Sequence, residues 1–359
     1  MEKFAFVFHP LDVADVARKY SFTRFLPPKV VEGALKLMSP KKVSHITGVR
    51  SAYAEAEGWF VSCPLTARQI MSLPAEYVLK KVVQAGQVAE RLGARILGLG
   101  AFTKVVGDAG LSVAKALNIP VTTGNSYTVA TAVEGTKEAA RLMGYDLAEA
   151  SVAIVGATGA IGRVCAELLS RETRNMTLVG RDVPKLELVA DRILYKTGLA
   201  ARISTDLKKT LTAADIIITV TSAVDAVIEP EYLKPGAVIC DVARPRDVSR
   251  RVAEERPDVL VIEGGVVAVP GDVNFNFNFG FPPKTAYACM AETMVLALER
   301  RYESFTLGRE LTTERVEEIA GLARKHGFKL DGFRSFERAF GEVEIEKVKE
   351  AARKVLQKS

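Results

Sequence analysis

The glycine-rich segment at residues 156–162 constrains the fold more than any other part of this 359-residue sequence. It reads Gly-Ala-Thr-Gly-Ala-Ile-Gly and directly follows an apolar, β-branched run at residues 152–155. Glycines at this spacing permit a tight turn, and a helix that begins there presents N–H groups to a phosphate. The segment therefore predicts a strand, a phosphate-binding turn and a helix in direct succession.

Four more short apolar runs follow this segment and alternate with helical patterns. They lie at residues 176–179, 216–220, 237–241 and 259–262. Each has the length, about five residues, of a strand that is buried on both faces. This alternation is typical of an α/β fold with a doubly wound parallel (Rossmann) sheet.

The remainder of the chain predicts two further parts. Residues 1–147 alternate strand and helix patterns and are interpreted as an N-terminal α/β substrate-binding domain. The nucleotide-binding domain is predicted at residues 148–282. Residues 283–359 are predicted to form a C-terminal helical segment with a charged tail, whose helices pack at the crevice between the domains. The first of these helices is predicted at 283–302, with proline in its first turn.

The end of the second sheet strand indicates the cofactor. An acidic residue there would bind the ribose 2′-hydroxyl of NAD, but this chain has Gly180 and Arg181, with Lys185 nearby. A guanidinium pairs well with the 2′-phosphate of NADP, so NADP(H) is predicted, while Asp182 keeps NAD open. Predicted cofactor-binding residues are Gly156, Ala157, Thr158, Gly159, Ala160, Ile161, Gly162, Arg181, Lys185, Thr219, Thr221 and Ser222.

The cysteine and histidine content limits the chemistry. The four cysteines have no CxxC spacing, so neither a zinc knuckle nor a dithiol redox pair is predicted. With three histidines, no metal site is predicted. Cys165 and Cys240 are interpreted as core residues, which leaves Cys63 and Cys289 open as nucleophiles.

The charge pattern says little about partners. The formal net charge is +6, and residues of both signs are interleaved in most segments, which favours an ordinary solvated surface over a nucleic-acid partner. No apolar run reaches the ~20 residues of a spanning helix, and the start lacks a signal-peptide pattern. A cytoplasmic protein is predicted, with oligomerisation and a peripheral membrane contact left open.

Several segments together resemble one family, the long-chain fatty acyl-[acyl-carrier-protein] reductases that form aldehydes. The resemblance runs over residues 6–328. It includes Val-Ser-Cys-Pro-Leu at 61–65, Thr-Gly-Asn-Ser at 123–126, the glycine segment, and Ala-Cys-Met-Ala-Glu-Thr-Met at 288–294. Residues 329–359 extend beyond it, and the Asn/Phe tract at 273–281 departs from the family's usual sequence.

The resemblance implies a function and a site. It implies an NADPH-dependent reduction of a fatty acyl thioester, carried by acyl carrier protein or CoA, to a fatty aldehyde through an acyl-enzyme on Cys289. Asn125, Ser126 and backbone N–H groups at 100–103 are the expected oxyanion donors, with Lys104 as a charged helper. Residues 273–281 are predicted to be extended, with the alternating phenylalanines at 275–281 on one face. That face is expected to line either an acyl channel or a buried strand face.

Two other hypotheses stay open. The glycine segment and Arg181 also resemble dehydrogenases of the shikimate and glutamyl-tRNA reductase type. A shikimate-type enzyme would act on a small substrate through a lysine such as Lys104 or Lys80. A non-enzymatic NADP-sensing module is the third hypothesis. A reactive Cys289 would distinguish the acyl-thioester reductase from the dehydrogenase and from the sensor.

Overall fold

The computed structural model describes residues 1–104, 107–223, 225–336 and 338–357, with only the backbone at Lys104 and Ala339. The strands are β1 (Glu2–Phe8), β2 (Lys42–Arg50), β3 (Glu55–Ser62), β4 (Leu97–Leu99), β5 (Val121–Thr122), β6 (Ser151–Val155), β7 (Asn175–Val179), β8 (Arg202–Ser204), β9 (Ile216–Thr219), β10 (Val238–Asp241), β11 (Leu260–Glu263), β12 (Val266–Ala268), β13 (Gly271–Asn274), β14 (Thr285–Tyr287), β15 (Lys329–Leu330), β16 (Phe333–Ser335) and β17 (Arg338–Phe340).

Helices connect most of these strands. They are α1 (Val13–Ala17), α2 (Pro28–Leu37), α3 (Ala67–Ser72), α4 (Ala75–Arg91), α5 (Leu111–Ala116), α6 (Asn125–Met143), α7 (Ala160–Leu169), α8 (Val183–Thr197), α9 (Leu207–Leu211), α10 (Arg250–Glu255), α11 (Ala288–Leu298), α12 (Thr313–Lys325) and α13 (Glu342–Leu356). Short 3₁₀ turns lie at Ser21–Phe25, Ala101–Lys104 and Pro230–Tyr232. None of the helices in the described ranges is long and apolar enough to cross a membrane.

The chain divides into two compact units. The first contains Met1–Tyr127, Val267–Leu311 and Glu317–Lys329, and the second contains Thr128–Val266, Thr312–Val316 and Leu330–Ser359. Residues 283–359 were expected to form one C-terminal segment, but their two ends belong to different units.

The first unit is built on a six-stranded sheet in the order β13-β2-β3-β1-β4-β5. Strands β1, β3, β4 and β5 are parallel, whereas β2 and β13 run antiparallel to their neighbours. Helix α4 covers this sheet because Val78, Val82, Ala85 and Ala89 recur at helical spacing and are all buried. The predicted N-terminal α/β architecture is confirmed.

The second unit contains the predicted Rossmann sheet. Its six strands lie in the order β11-β10-β9-β6-β7-β8, and every neighbouring pair is parallel. When β6 is counted as strand 1 and β11 as strand 6, the sheet has the 3-2-1-4-5-6 order of dinucleotide-binding folds. This order places the β6–α7 turn at the topological switch point. The predicted doubly wound sheet is confirmed.

The C-terminal tail is a structured part of the second unit. Helix α13 buries Ile345, Val348 and Ala352 along one face. Strand β16 lies beside β11 and pairs with β17. Strand β11 is at the edge of the six-stranded sheet, and an edge strand has unpaired backbone groups. Strand β16 therefore shields the edge formed by β11.

Two local predictions near the C-terminus are wrong. A helix predicted over residues 283–302 begins only at Ala288, because Lys284 has φ 64° and residues 285–287 form β14. The extended segment predicted at 273–281 is strand only as far as Asn274. Non-glycine residues in the left-handed region interrupt both patterns: Asn276 has φ 49°.

Candidate functional site

The glycine turn between β6 and α7 fits a dinucleotide phosphate. Gly156 has φ 80°, and a Cβ placed on it would lie 2.6 Å from the Val220 carbonyl oxygen. A Cβ on Gly162 would lie 2.4 Å from the Gly156 carbonyl oxygen. Because only glycine fits both positions, the first N–H groups of α7 can approach a bound pyrophosphate closely.

Arg181 occupies the position that distinguishes the two cofactors. Its side chain is exposed, and among the described residues it has no hydrogen-bond or ion-pair partner. The two acids that could have bound it are used elsewhere: Asp182 pairs with Lys185 at 2.7 Å, and Asp206 accepts from the Lys209 N–H. The guanidinium is therefore available to a 2′-phosphate.

We expect Arg181→Ser to weaken NADPH binding by about tenfold to a hundredfold, since a charge-assisted hydrogen bond contributes about 1.5–3 kcal/mol. NADH binding should change little, because NADH carries no 2′-phosphate. Calorimetric titration of both cofactors checks this. Lys185→Ser is the control with a smaller expected effect, because Lys185 already pairs with Asp182; equal losses in the two variants would contradict the assignment.

The hydroxyls that end β9 have a structural role. Thr219 Oγ1 donates to Asp247 Oδ2 at 2.6 Å, and Thr221 Oγ1 donates to Asp247 Oδ1 at 2.5 Å. Both threonines were predicted to face the cofactor, but buried Asp247 binds them and fixes the turn after β9. Ser222 is the exposed hydroxyl at this strand end.

The four thiols lie in different environments. Cys63, Cys165 and Cys240 are fully buried, whereas Cys289 is partly exposed. Burial raises the pKa of Cys63 and of Cys240 to about 12, and it also raises that of Cys165. These three side chains are protonated core residues, so Cys63 is no longer a candidate nucleophile.

Cys289 packs against the residue that precedes α6. A Cβ placed on Gly124, which has φ 71°, would lie 2.3 Å from Cys289 Cα and 2.4 Å from its Cβ. Since α6 begins at Asn125, the backbone of Cys289 lies beside the N-terminus of a 19-residue helix. The partial positive charge of a helix N-terminus favours a thiolate or an oxyanion at this place.

Glu292, one turn after Cys289 on α11, fixes this arrangement. Its side chain is completely buried, and Oε2 accepts the backbone N–H of Tyr127 in the first turn of α6 at 2.9 Å. Oε1 accepts from Thr122 Oγ1 at 2.5 Å and from Thr306 Oγ1 at 2.9 Å. Glu292 therefore links α11 to the start of α6.

The predicted oxyanion donors are only partly available. The Ser126 hydroxyl is buried and bonded to Thr306 at 2.7 Å, and the Phe102 N–H donates to His9 Nε2 at 3.0 Å. Both groups therefore have structural partners. Asn125 opens α6 with a mostly buried side chain. The side chain of Lys104 lies outside the described residues.

The phenylalanine tract forms an aromatic cluster that reaches the residue before α11. Phe275 and Phe279 contact Phe60, with ring centroids 5.9 and 5.3 Å apart. Phe279 stacks on Phe281 at 5.2 Å, and Phe281 meets Tyr287 edge to face at 4.3 Å. Tyr287 is the residue that precedes α11, so this series of contacting rings ends at the start of the helix that carries Cys289.

Comparisons with known proteins find similarity to dehydrogenases and reductases. Residues 137–263, which include β6 to β11, match the shikimate / quinate 5-dehydrogenase family. The chain is 29% identical over 317 residues to the long-chain acyl-[acyl-carrier-protein] reductase of Synechococcus elongatus, covering 84% of this chain and 87% of that protein. The predicted resemblance is thus confirmed as moderate similarity across most of both chains.

A second relative is longer than this chain. The aminotransferase PigE of a Serratia species is 33% identical over 306 residues, which are 83% of this chain and 34% of PigE. The chain therefore spans about a third of that relative. Among solved structures, the malic enzyme of Entamoeba histolytica aligns over 83% of this chain and 61% of its own, with 14% identity and a TM-score of 0.41.

The sheet order, the glycine turn and the matched dehydrogenase family all indicate a nicotinamide dinucleotide cofactor. Arg181 follows the end of β7, where it suits the 2′-phosphate of NADP(H). The prediction of NADP(H) as the cofactor is confirmed. The chain is an NAD(P)-dependent oxidoreductase similar to known reductases and dehydrogenases.

Proposed function

We propose that the protein reduces a fatty acyl thioester to a fatty aldehyde with NADPH, through an acyl-enzyme on Cys289. The observation that carries this proposal is the accessibility of one thiol out of four, placed beside the N-terminus of α6. The similarity to an acyl-[acyl-carrier-protein] reductase over most of the chain supports the substrate class.

The thiol is activated by its position rather than by a histidine in this proposal. The three histidines have other partners: His45 binds Glu57, His326 binds Glu299 and Ser51, and His9 accepts the Phe102 N–H. Burial lowers the pKa of His9 to about 4, so this ring is neutral near pH 7. The N-terminus of α6 then supplies the positive potential that a thiolate needs.

The acyl transfer is a balanced exchange. The Cys289 sulfur forms a new thioester with the acyl carbon, the bond to the donor sulfur breaks, and the donor leaves as a thiol that takes the proton. In this proposal, backbone N–H groups at the start of α6 stabilise the negative charge on the acyl oxygen, apart from the Tyr127 N–H, which Glu292 accepts. When bound through the glycine turn and Arg181, NADPH supplies the hydride for the reduction.

A panel of thioesters tests the proposal. Acyl-carrier-protein and acyl-CoA thioesters of several chain lengths are incubated with the protein and NADPH, and trapped aldehyde is quantified against NADPH consumed. We expect one aldehyde for each NADPH oxidised, with no turnover of shikimate or quinate in the presence of NADP⁺. Oxidation of those hydroxy acids without thioester reduction would favour the dehydrogenase hypothesis, and NADPH binding without any turnover would favour the sensor.

A further inference from the structure

The surface formed by residues 18–42 of the first unit exposes an unusual number of apolar side chains. Phe22, Phe25, Leu26, Val30 and Leu37 are between 40% and 86% exposed. On α2, Val31 and Leu35 pack inwards, whereas Val30 and Leu37 lie seven residues apart on the exposed side. The helix therefore has an apolar stripe towards solvent in addition to the one that it buries.

The same surface carries the whole net charge of the protein. It contains seven of the 49 lysines and arginines and one of the 43 acidic residues, which matches the formal excess of +6. The single acid, Glu32, already accepts from Thr66 Oγ1 at 3.2 Å. Within the described residues, Arg24, Lys29 and Lys42 have no acidic partner. These three cations therefore belong to the same exposed segment as the apolar side chains and form no ion pair there.

We propose that the residue 18–42 surface docks onto an anionic lipid bilayer. Exposed aromatic and aliphatic side chains beside lysines and arginines are the pattern of helices that lie in the headgroup region. Phe25 and Leu37, each more than 80% exposed, are the side chains that we expect to insert between lipids. An acidic protein would match the charge equally well, but it would need pockets shaped to these side chains, whereas a fluid bilayer needs none.

The surface contacts the phenylalanine tract at 273–281. Lys19 Nζ lies 5.9 Å from the Phe277 ring centroid. A Cβ placed on Gly280 would lie 2.9 Å from Arg18 Nη1. Docking would thus bring the phenylalanine tract close to the lipid, where an apolar acyl chain could contact its rings. This last link rests on the proposed function, and the docking itself does not.

Vesicle co-sedimentation of the full chain tests the docking. With phosphatidylcholine vesicles containing phosphatidylglycerol, we expect binding that weakens as salt is added; vesicles of phosphatidylcholine alone should bind much less. Lys29→Ala with Lys42→Ala should weaken binding about tenfold, and Phe25→Ser with Leu37→Ser should weaken it at least as much. Leu188→Ser with Tyr195→Ser is the matched control, since both side chains are exposed on α8 outside this surface, and it should bind normally.

Three outcomes would overturn the docking: no vesicle binding, equal binding to both vesicle types, or equal losses in the control variant. Normal vesicle binding in the surface variants, together with weakened capture of acyl carrier protein, would assign the surface to a protein partner instead. Acylation of Cys289 by a short, soluble thioester is measured in the same variants and should be unchanged. Failure of that acylation in every variant and in the parent protein would count against the proposed function alone.

Discussion

Replacing Cys289 with alanine is expected to abolish the covalent acyl adduct and to lower aldehyde formation by at least about a thousandfold. The expected loss is large because no other thiol can substitute: Cys63, Cys165 and Cys240 are fully buried. Burial also holds the pKa of Cys63 near 12, so this thiol stays protonated at any working pH. Intact-mass measurement after incubation with an acyl thioester, without NADPH, detects the adduct directly.

Cys63→Ala is the matched control for this experiment. Cys63 follows β3 in a segment that the sequence also marked, yet its side chain lies in the core of the first unit. We expect Cys63→Ala to retain the adduct and most of the activity, with a modest loss of stability of about 1 kcal/mol. An adduct that persists in Cys289→Ala, or that disappears in Cys63→Ala, would place the nucleophile elsewhere.

The second unit was predictable because its signals are local. Each buried parallel strand is a short β-branched run, and the glycine turn between β6 and α7 follows directly from residue spacing. Strand β8 was missed because Arg202–Ser204 is short, polar and largely exposed. The inward face of α13 could have been found, since Ile345, Val348 and Ala352 recur at helical spacing within the charged tail.

The surroundings of the candidate nucleophile were harder to predict because they depend on distant residues. Helix α11 is buried nearly all round, so no amphipathic period marked its start or its inward side. The three partners of Glu292 come from two other segments, and Tyr127 is 165 residues away in sequence. A single sequence contains no signal for such a pairing, and for the same reason Asp247 was not connected with Thr219.

Replacing Gly124 with alanine is expected to impair the site through the backbone rather than through a lost functional group. Any Cβ at this position would come within 2.3 Å of Cys289 Cα and 2.5 Å of its carbonyl oxygen, and neither atom can move without shifting α11. Because α11 is held to α6 through Glu292, the strain falls on the junction that positions the thiol. We expect a fall in kcat/KM of about a hundredfold, since a displacement near 1 Å has that effect on a reacting group.

Gly93→Ala separates this clash from the general penalty of alanine in a left-handed conformation. Gly93 has φ 85°, close to the 71° of Gly124, but a Cβ there meets no atom within 4 Å. Both variants should lose about 1 kcal/mol of unfolding free energy from the backbone conformation. Only Gly124→Ala should show a larger loss and slower alkylation of Cys289 by iodoacetamide, followed by mass spectrometry. Equal alkylation rates in the two variants would mean that close packing against Gly124 does not set the position of the thiol.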